Sequence, residues 1–401
     1  MTETIHLGNG LPTARDTPLD PPEVISRLRA QAPIARFTYP DGHEGWIVTG
    51  HAQARAILAD SRFSSRLEYV HAPVAGDRAA NFDPSQVPPG MFNKMDAPEH
   101  TRFRKQLAGQ FTARRMNQLT ERVTEIAEEH AKAMLAQGPP ADLVSGYALP
   151  IPSLVICELL GIPYGDRESF QADISKLMDM ENGHEEAMAA VGRTWGYVAG
   201  LVHRRRSEPS GDLLSDLVAA GELTDPELTG AAIALLIAGY ETSSNMIALG
   251  TYTLLTQPDQ LAALRADPSL VDGAVEELLR YLTVLQVGTE RAPLEDVEID
   301  GVLMKAGETA LIHLPAANRD PARFADPDRL DITRTDAGGH LALGHGIHQC
   351  LGHQLARIEL RIAYSTLLSH FPDLRLAVPA EEIELRPGAG VYGAVRLPIT
   401  W

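Results

Sequence analysis

The sequence predicts a mainly α protein with a small β part (α+β), folded as one domain over residues 1–401. Three observations carry that reading. From about residue 48 to 283 the pattern is mostly helical, with loops marked by Pro and Gly. Strand patterns are confined to residues 33–48 and to the chain after 283. One helix is long and apolar on nearly all sides of its middle, so it should cross the core rather than lie on the surface. There are no internal repeats, no low-complexity tract and no clear linker.

Taken in order, residues 1–20 read as a flexible N-terminal arm. The opening "MTETIHLGNGLPTARDTPLDPP" has no basic region and no apolar core, so it is not a signal peptide. Residues 33–48 hold two short strands around Pro40-Asp41-Gly42. Val70 to Lys94 has little periodicity, and a loop that long is functional or disordered. "MDAPEHTRFRKQ" opens a helix with Asp96 as its cap and Glu99 three later, and His100 and Arg104 share one face. Thr224 and Glu227 form a capping box for the long helix, which can run to Gln257, just before Pro258. That is about 33 residues, or roughly 50 Å. "VEIDGVLMKAGETALI" is a hairpin pattern with Asp300-Gly301 at its turn. Leu351, Leu355, Ile358 and Ile362 repeat at helical spacing, so Cys350 stands just before a helix.

Composition narrows the function. With 44% hydrophobic residues the chain can bury a large core. A net charge of −18 and a pI near 5.2 exclude nucleic acid or an anionic membrane as the main partner. Two cysteines, Cys157 and Cys350, are not a disulfide framework and fit a reduced cytosolic setting. The longest apolar run, Ala231 to Tyr240, is ten residues, against the roughly 20 that a membrane helix needs. The expectation is a soluble, cytoplasmic protein.

Chemistry concentrates in Leu341 to Arg357, "LALGHGIHQCLGHQLAR". Zinc is disfavoured because His345, His348, Cys350 and His353 fall in one short stretch, whereas a tetrahedron needs the chain to turn back. A Cys350 nucleophile with a histidine partner is possible at a helix N-terminus, but nothing specifies an oxyanion hole. A buried inert cysteine is the default reading. Gly344, Gly346 and Gly352 tilt the balance towards a cradled thiolate, which suits a haem iron ligand and favours O–O cleavage.

Other motifs are each open to a bland reading. "AGYETSSN", Ala238 to Asn245, interrupts the long helix; its hydroxyls can simply bond back to the preceding turn. A glycine and an acid–hydroxyl pair in mid-core are costly unless used. Glu277 and Arg280 in "AVEELLRYL" can be an ordinary surface pair. His100, Arg104 and Arg291 can be solvated charge, or cations gathered around buried carboxylates of a cofactor. "GAGVYGA", Gly388 to Ala394, matches a dinucleotide pattern but leaves no room for the following helix and strand, so it is a turn.

In this order the motifs resemble a bacterial, soluble cytochrome P450 of actinobacterial type, a haem-thiolate monooxygenase. The resemblance runs from about residue 30 to the C-terminus. It rests on Gly344-His-Gly-Ile-His-Gln-Cys350-Leu-Gly352, on Ala238-Gly-Tyr-Glu-Thr242, on Glu277-Leu-Leu-Arg280, and on His100, Arg104 and Arg291. The resemblance implies haem b with Cys350 as axial ligand, and Thr242 and Glu241 as catalytic residues. His100, Arg104 and Arg291 would bind the propionates, with His348 in a similar place. Ala238, Gly239, Leu343, Gly344 and Gly352 would lie against the haem. Glu277 and Arg280, with Arg329 as third member, would anchor the cysteine loop.

Further implications are a substrate pocket with Tyr240, Val284, Leu285, Val287, Val391 and Tyr392, fed by the segments Val70 to Lys94 and Met178 to Trp195. The reaction would be hydroxylation or epoxidation of an apolar small molecule with O2, in polyketide, macrolide or terpenoid tailoring. Electrons would come from NAD(P)H through a ferredoxin and its reductase. Arg102, Lys105, Arg114 and Arg115 form either a docking patch or solvated helix faces. The chain would act as a monomer. A haem-thiolate sensor that does not turn over is the alternative, and the intact Glu241-Thr242 pair argues against it. Two positions depart from the family pattern: Leu343 stands where Phe is usual, and Tyr240 where His is frequent.

Overall fold

The computed structural model describes residues 6–75, 87–111, 113–167, 169–170, 172–173 and 184–401, without the side chains of 113, 114, 117 and 184–188. The described helices are α1 (Glu23–Gln31), α2 (His51–Ala59), α3 (Glu99–Ala108), α4 (Ala113–Gln137), α5 (Pro150–Leu160) and α6 (His184–Ser207). They continue with α7 (Leu213–Ala220), α8 (Asp225–Thr256), α9 (Pro258–Ala266), α10 (Val271–Leu282), α11 (Leu314–Ala317) and α12 (His353–His370). The mainly α reading with a small β part is what the structure shows.

The long helix is α8, 32 residues, with both halves of the capping box formed between Thr224 and Glu227. Most of its residues are buried, and it packs against α5, α6, α10 and α12. It is the one described helix long and apolar enough to cross a membrane, yet 72% of its most apolar window is buried inside the protein. It is a core helix.

The strands collect beside this helical body. β1 (His6–Leu7), β2 (Ile34–Thr38), β3 (Glu44–Val48), β4 (Phe63–Ser64), β6 (Thr289–Pro293) and β9 (Ala310–Ile312) make one sheet in the order β1-β2-β3-β9-β6-β4. β5 (Ala141–Asp142) belongs to a second sheet with β10 (Arg375–Leu376) and β11 (Pro398–Thr400). β7 (Val297–Ile299) and β8 (Val302–Met304) form the expected hairpin, with Asp300 at φ 51° and Gly301 at φ 78°. Two successive left-handed residues are what a two-residue turn of matching twist requires. The rest of that sequence stretch leaves the hairpin and joins the larger sheet as β9, parallel to β3 and antiparallel to β6.

Two local expectations change. Asp96 is not the cap of α3, which starts at Glu99 with Pro98 before it. The Asp96 carboxylate is taken by β4 instead, accepting from Ser64 Oγ at 2.5 Å and from Ser65 N at 3.0 Å. The second concerns the arm: its described part, residues 6–20, is held rather than free. β1 pairs with β2, Leu11 is buried, and Tyr392 Oη donates to the carbonyl of Pro18 at 2.8 Å.

Thr224→Ala should lower stability by about 1 kcal/mol, the typical worth of an N-cap hydroxyl. Urea unfolding of the purified variant checks this. Glu227→Ala should cost more, because Glu227 also pairs with Arg102 across to α3.

Candidate active site

Cys350 is reached through a loop shaped by glycine. Gly344 and Gly346 both hold φ near +70°, and a Cβ on Gly346 would meet the Leu58 carbonyl at 2.1 Å. Only glycine lets the loop press so closely on the end of α2. The turn then brings Cys350 N to Leu343 O at 2.8 Å. Burial pushes the Cys350 thiol up, while the Gly352 amide aimed at the sulfur and the nearby Arg104 and Arg357 favour the thiolate. The sulfur therefore stands just ahead of α12, where helix-end amides favour negative charge. A Cβ at Gly352 would meet nothing within 4 Å.

What fixes this loop begins on α10. Glu277 and Arg280 are wholly buried, with Arg280 Nε to Glu277 Oε2 at 2.7 Å and Nη2 to Oε1 at 2.8 Å. The remaining guanidinium hydrogens go to the carbonyls of Asn318 (2.9 Å), Pro327 (2.8 Å) and Arg329 (3.3 Å). A buried pair is tolerated when every lone pair and proton is used in this way. The expected third member, Arg329, contributes only its carbonyl; its side chain is 66% exposed and turns away towards Asp331. Arg334 takes the place instead, with its side chain 9% exposed and Nε 3.2 Å from Glu277 Oε2. In a turn-rich segment no helical period says which arginine points inwards, so spacing alone chose wrongly.

Two links run from this anchor to the cysteine loop. Asn318 Oδ1 accepts from Leu341 N at 2.6 Å, fixing the loop's entrance. Glu276, next to Glu277, binds Arg357 in α12 at 2.5 and 2.9 Å and stands 3.4 Å from His340. Burial pushes the Glu276 carboxyl up, but hydrogen bonds from His340 and Arg357 hold it down to about 2. No motif had flagged Glu276; its only sequence signal was the acid beside Glu277.

A second cluster gathers four basic side chains from three places: His100 and Arg104 on α3, Arg291 on β6, and His348 in the cysteine loop. The His100 and His348 rings lie 4.3 Å apart. Ser65 Oγ, oriented by Asp96, meets His348 Nε2 at 3.1 Å. Burial and then Arg291 push His348 down to about 3, and burial and then Arg104 lower His100. Both imidazoles are therefore neutral at pH 7. Arg104 and Arg291 are likewise lowered by burial, and among the described residues neither is paired with a carboxylate. His100 Nε2 is buried with no partner. Positive charge with no ion-pair partner beside an unpartnered imidazole nitrogen calls for an anionic group from outside the chain.

The third part is the middle of α8. Ala238 is exposed and Ile237, Gly239, Glu241 and Thr242 are half-buried, in a helix otherwise buried from Leu228 to Leu254, so a space opens there. Thr242 Oγ1 donates to Ala238 O at 2.7 Å. The Glu241 carboxylate meets Arg386 Nη1 at 3.1 Å, and Arg386 Nη2 donates to Asn245 Oδ1 at 2.9 Å. Burial raises the Glu241 carboxyl, and Arg386 pulls it back. Sequence reading missed Arg386, which lies 145 residues away in the chain. It also missed Glu359 on α12, whose buried carboxyl is pushed up to about 7 against a hydrogen bond from Ser243 on α8.

Over residues 203–378 the chain matches the model of the family described as cytochrome P450. It is 52% identical over 390 residues to cytochrome P450 105C1 of a Streptomyces species, covering 97% of each chain. The chain belongs to the cytochrome P450 family. It is also 44% identical to pentalenic acid synthase of Streptomyces avermitilis, over 97% of this chain and 96% of that one. The crystal structure of CYP105P1 in complex with filipin I superposes with a TM-score of 0.91 at 45% identity, covering 98% of this chain and 99% of that one.

The protein is thus a cytochrome P450 monooxygenase, and its cofactor is haem b. The site fits that group. The uncompensated cations and the orphaned His100 Nε2 suit propionates, and the open space at Gly352 and Ala238 suits a flat ring. Gly239 fits less well, since its missing Cβ would point at Ile156 of α5, 3.4 Å away, an ordinary packing contact. Leu343 is half-buried against the main core.

Of the expected pocket residues, Leu285 and Val391 are joined by a β-bridge and half-buried, and Val287 is half-buried beside Gly390. Val284 is buried. Tyr392 is a correction: it is 3% exposed, its ring lies under Arg15 and its hydroxyl is bound to Pro18, so it is a packing residue. Tyr240 is also buried, and its hydroxyl is pushed up to about 12 by burial and by Glu241 and Cys157. It lies on the α5 side of α8, where Cys157 stands. Much of Val70 to Lys94 and of Met178 to Trp195 lies outside the described residues.

Glu276→Gln should destabilise the protein by about 1–2 kcal/mol at pH 7, the scale of a partly exposed pair. The Glu276 carboxyl is held below its usual 4.5, so its contribution is present above 4.5 and lost as pH falls towards 2. Urea unfolding across pH should show the gap between variant and wild type closing in that window.

Proposed function

We propose that this cytochrome P450 hydroxylates or epoxidises an apolar small molecule of secondary metabolism, with Cys350 as the axial ligand of the haem. The single observation that carries the proposal is a glycine-cradled cysteine beside the His100–Arg104–Arg291–His348 cluster, close enough that Arg104 acts on the Cys350 thiol. Haem bound there supplies O2 activation, driven by electron push from the axial thiolate. The chain's own share is to hold, orient and exclude.

Arg104 and Arg291 supply charge to the propionates, and His100 and His348 supply neutral donors. Thr242 and Glu241 stand at the opening in α8, where Thr242 positions water and Glu241 passes protons to it. Arg386 opposes the tendency of burial to hold the Glu241 carboxyl protonated. Leu285, Val287 and Val391 give the substrate an apolar wall, as most small-molecule pockets have. A polyketide, macrolide or terpenoid fits such a wall. A relative named for pentalenic acid synthesis and a similar structure holding filipin I support that class.

Electrons come from NAD(P)H through a ferredoxin and its reductase in the cytoplasm. Of the four basic residues considered for docking, Arg102 is paired with Glu227 and Arg115 with Asp216. The side chain of Arg114 lies outside the described residues. Lys105 remains exposed, so the patch is weaker than its sequence suggested.

Reduced wild-type protein should give a Soret band that shifts to the red with CO, and Cys350→Ala should lose it. A variant that kept the same band would overturn the ligand assignment. Steady NADPH consumption with a ferredoxin system and an oxygenated product would separate turnover from sensing.

Arg386→Gln should raise the Glu241 carboxyl further, because burial already raises it and Arg386 is what opposes that. A larger fraction is then protonated at pH 7, and the acid limb of product formed per NADPH should move to higher pH. Product and NADPH measured together over pH 6–9 test this.

A further inference from the structure

The N-terminal arm carries a charge that simple packing does not require. Arg15 stacks its guanidinium 3.7 Å above the Tyr392 ring, donates from Nη1 to Asp20 O at 3.1 Å and from Nη2 to Gln286 Oε1 at 3.3 Å. Its Nε is buried with no partner, and burial pushes the guanidinium down to about 10. Arg319 nearby opposes it, while Asp20 and the face of Tyr392 offset that repulsion. An apolar side chain would fill the same space at less cost. What the cation adds is direction.

That direction is passed to Gln286, which is 3% exposed. Its amide nitrogen donates to the carbonyls of Pro387 (2.8 Å) and Ala389, and its backbone N–H donates to Gly390 O at 3.2 Å. With both amide hydrogens spent on one loop, Oε1 would be a buried acceptor without a donor unless Arg15 supplied it. Gln286 also sits between Leu285 and Val287. Leu285 bridges to Val391, and Tyr392 N donates to Val284 O at 2.7 Å. One arginine on the arm thereby sets an amide that zips two segments together. Those segments carry three half-open apolar side chains.

We infer that Arg15 is a specificity-determining positioning residue, which acts through Gln286 to fix the spacing between the 284–287 and 387–392 segments. The inference rests on the reading that these segments border the substrate space. Arg15 touches neither substrate nor haem; it sets how large a molecule passes between Leu285, Val287 and Val391.

The test needs no natural substrate. Imidazole and 4-phenylimidazole are titrated into the haem-loaded enzyme, following the shift of the Soret band. Arg15→Ala should change the affinity for 4-phenylimidazole relative to imidazole by roughly tenfold, the scale on which an apolar pocket reads a small change of shape. Arg15→Lys should fall between it and wild type, because an ammonium keeps the charge but not the planar stack. Gln286→Met should reproduce the Arg15→Ala effect, and the double variant should add little, since both act through one link. The Gln286 variant also serves if Arg15→Ala does not fold.

Parallel changes for both azoles, no change for either, or additive single variants would overturn the inference. Val391→Phe is the control for the reading beneath it. If Val391→Phe alters the ratio of affinities and Arg15→Ala does not, only the role of Arg15 fails. If Val391→Phe is also silent, the segments do not border the substrate and both readings fall together.

Discussion

With neither group touching solvent, Glu277 and Arg280 are tolerable in the core only because every remaining donor and acceptor is used. The acceptors are main-chain carbonyls at Asn318, Pro327 and Arg329, in a stretch that is mostly turns. That stretch has little regular hydrogen bonding of its own, so Arg280 on α10, together with Arg334, holds its shape. Asn318 then fixes the entrance of the cysteine loop at Leu341, and Glu276 binds His340 before the loop and Arg357 beyond it. α10 thus governs both ends of the segment that carries Cys350. An apolar pair of equal volume would pack as well, but it would leave the carbonyls of Asn318 and Pro327 without their arginine donor.

The electrostatics of the site run against those of the whole. The chain carries a net charge of −18, yet its interior gathers two guanidiniums that form no ion pair among the described residues, with Glu290 and Asp96 only near Arg291. The neighbouring imidazoles do not add to that charge, because burial and the arginines hold both neutral. Two fixed cations would match the two carboxylates of a haem, and two neutral rings could donate hydrogen bonds without overshooting the balance. Histidine and arginine are therefore not interchangeable here: a third cation would be as badly buried as an unpaired carboxylate.

Where function depended on local spacing, the sequence was readable. The glycines around Cys350, the i, i+3 pair on α10, the i, i+4 pair on α3 and the capping box of α8 are all consequences of helix or turn geometry over a few residues. Reading failed where a side chain's direction was set by distant packing. Arg329 and Arg334 lie five apart in a turn-rich segment with no period, and only tertiary contact selects the second. Arg386 reaches Glu241 from 145 residues along the chain, just before the stretch that first drew notice as a false nucleotide motif. Asp96 had the composition of a cap but was claimed by Ser64 and Ser65. Gly239 was read as room for a cofactor, whereas its bare side faces another helix.

The middle of α8 shows why a hydroxyl motif alone is weak evidence and its setting is strong. Thr242 bonds back to Ala238, but Thr229, Thr251, Thr253 and Thr256 on the same helix bond back four residues in the same way. That habit satisfies a polar group in an apolar span and says nothing about catalysis. Two features separate Thr242 from the others. Its acceptor, Ala238, belongs to an exposed residue in the interior of a core helix, and its neighbour Glu241 cannot satisfy itself within the helix. The carboxylate needs Arg386 from another element, so the helix is tied to the C-terminal segment at the one turn where it also opens. A helix meant only to fill the core would have kept both positions apolar and closed. The open alanine and the externally paired acid, more than the threonine, are what support the catalytic role proposed for this turn.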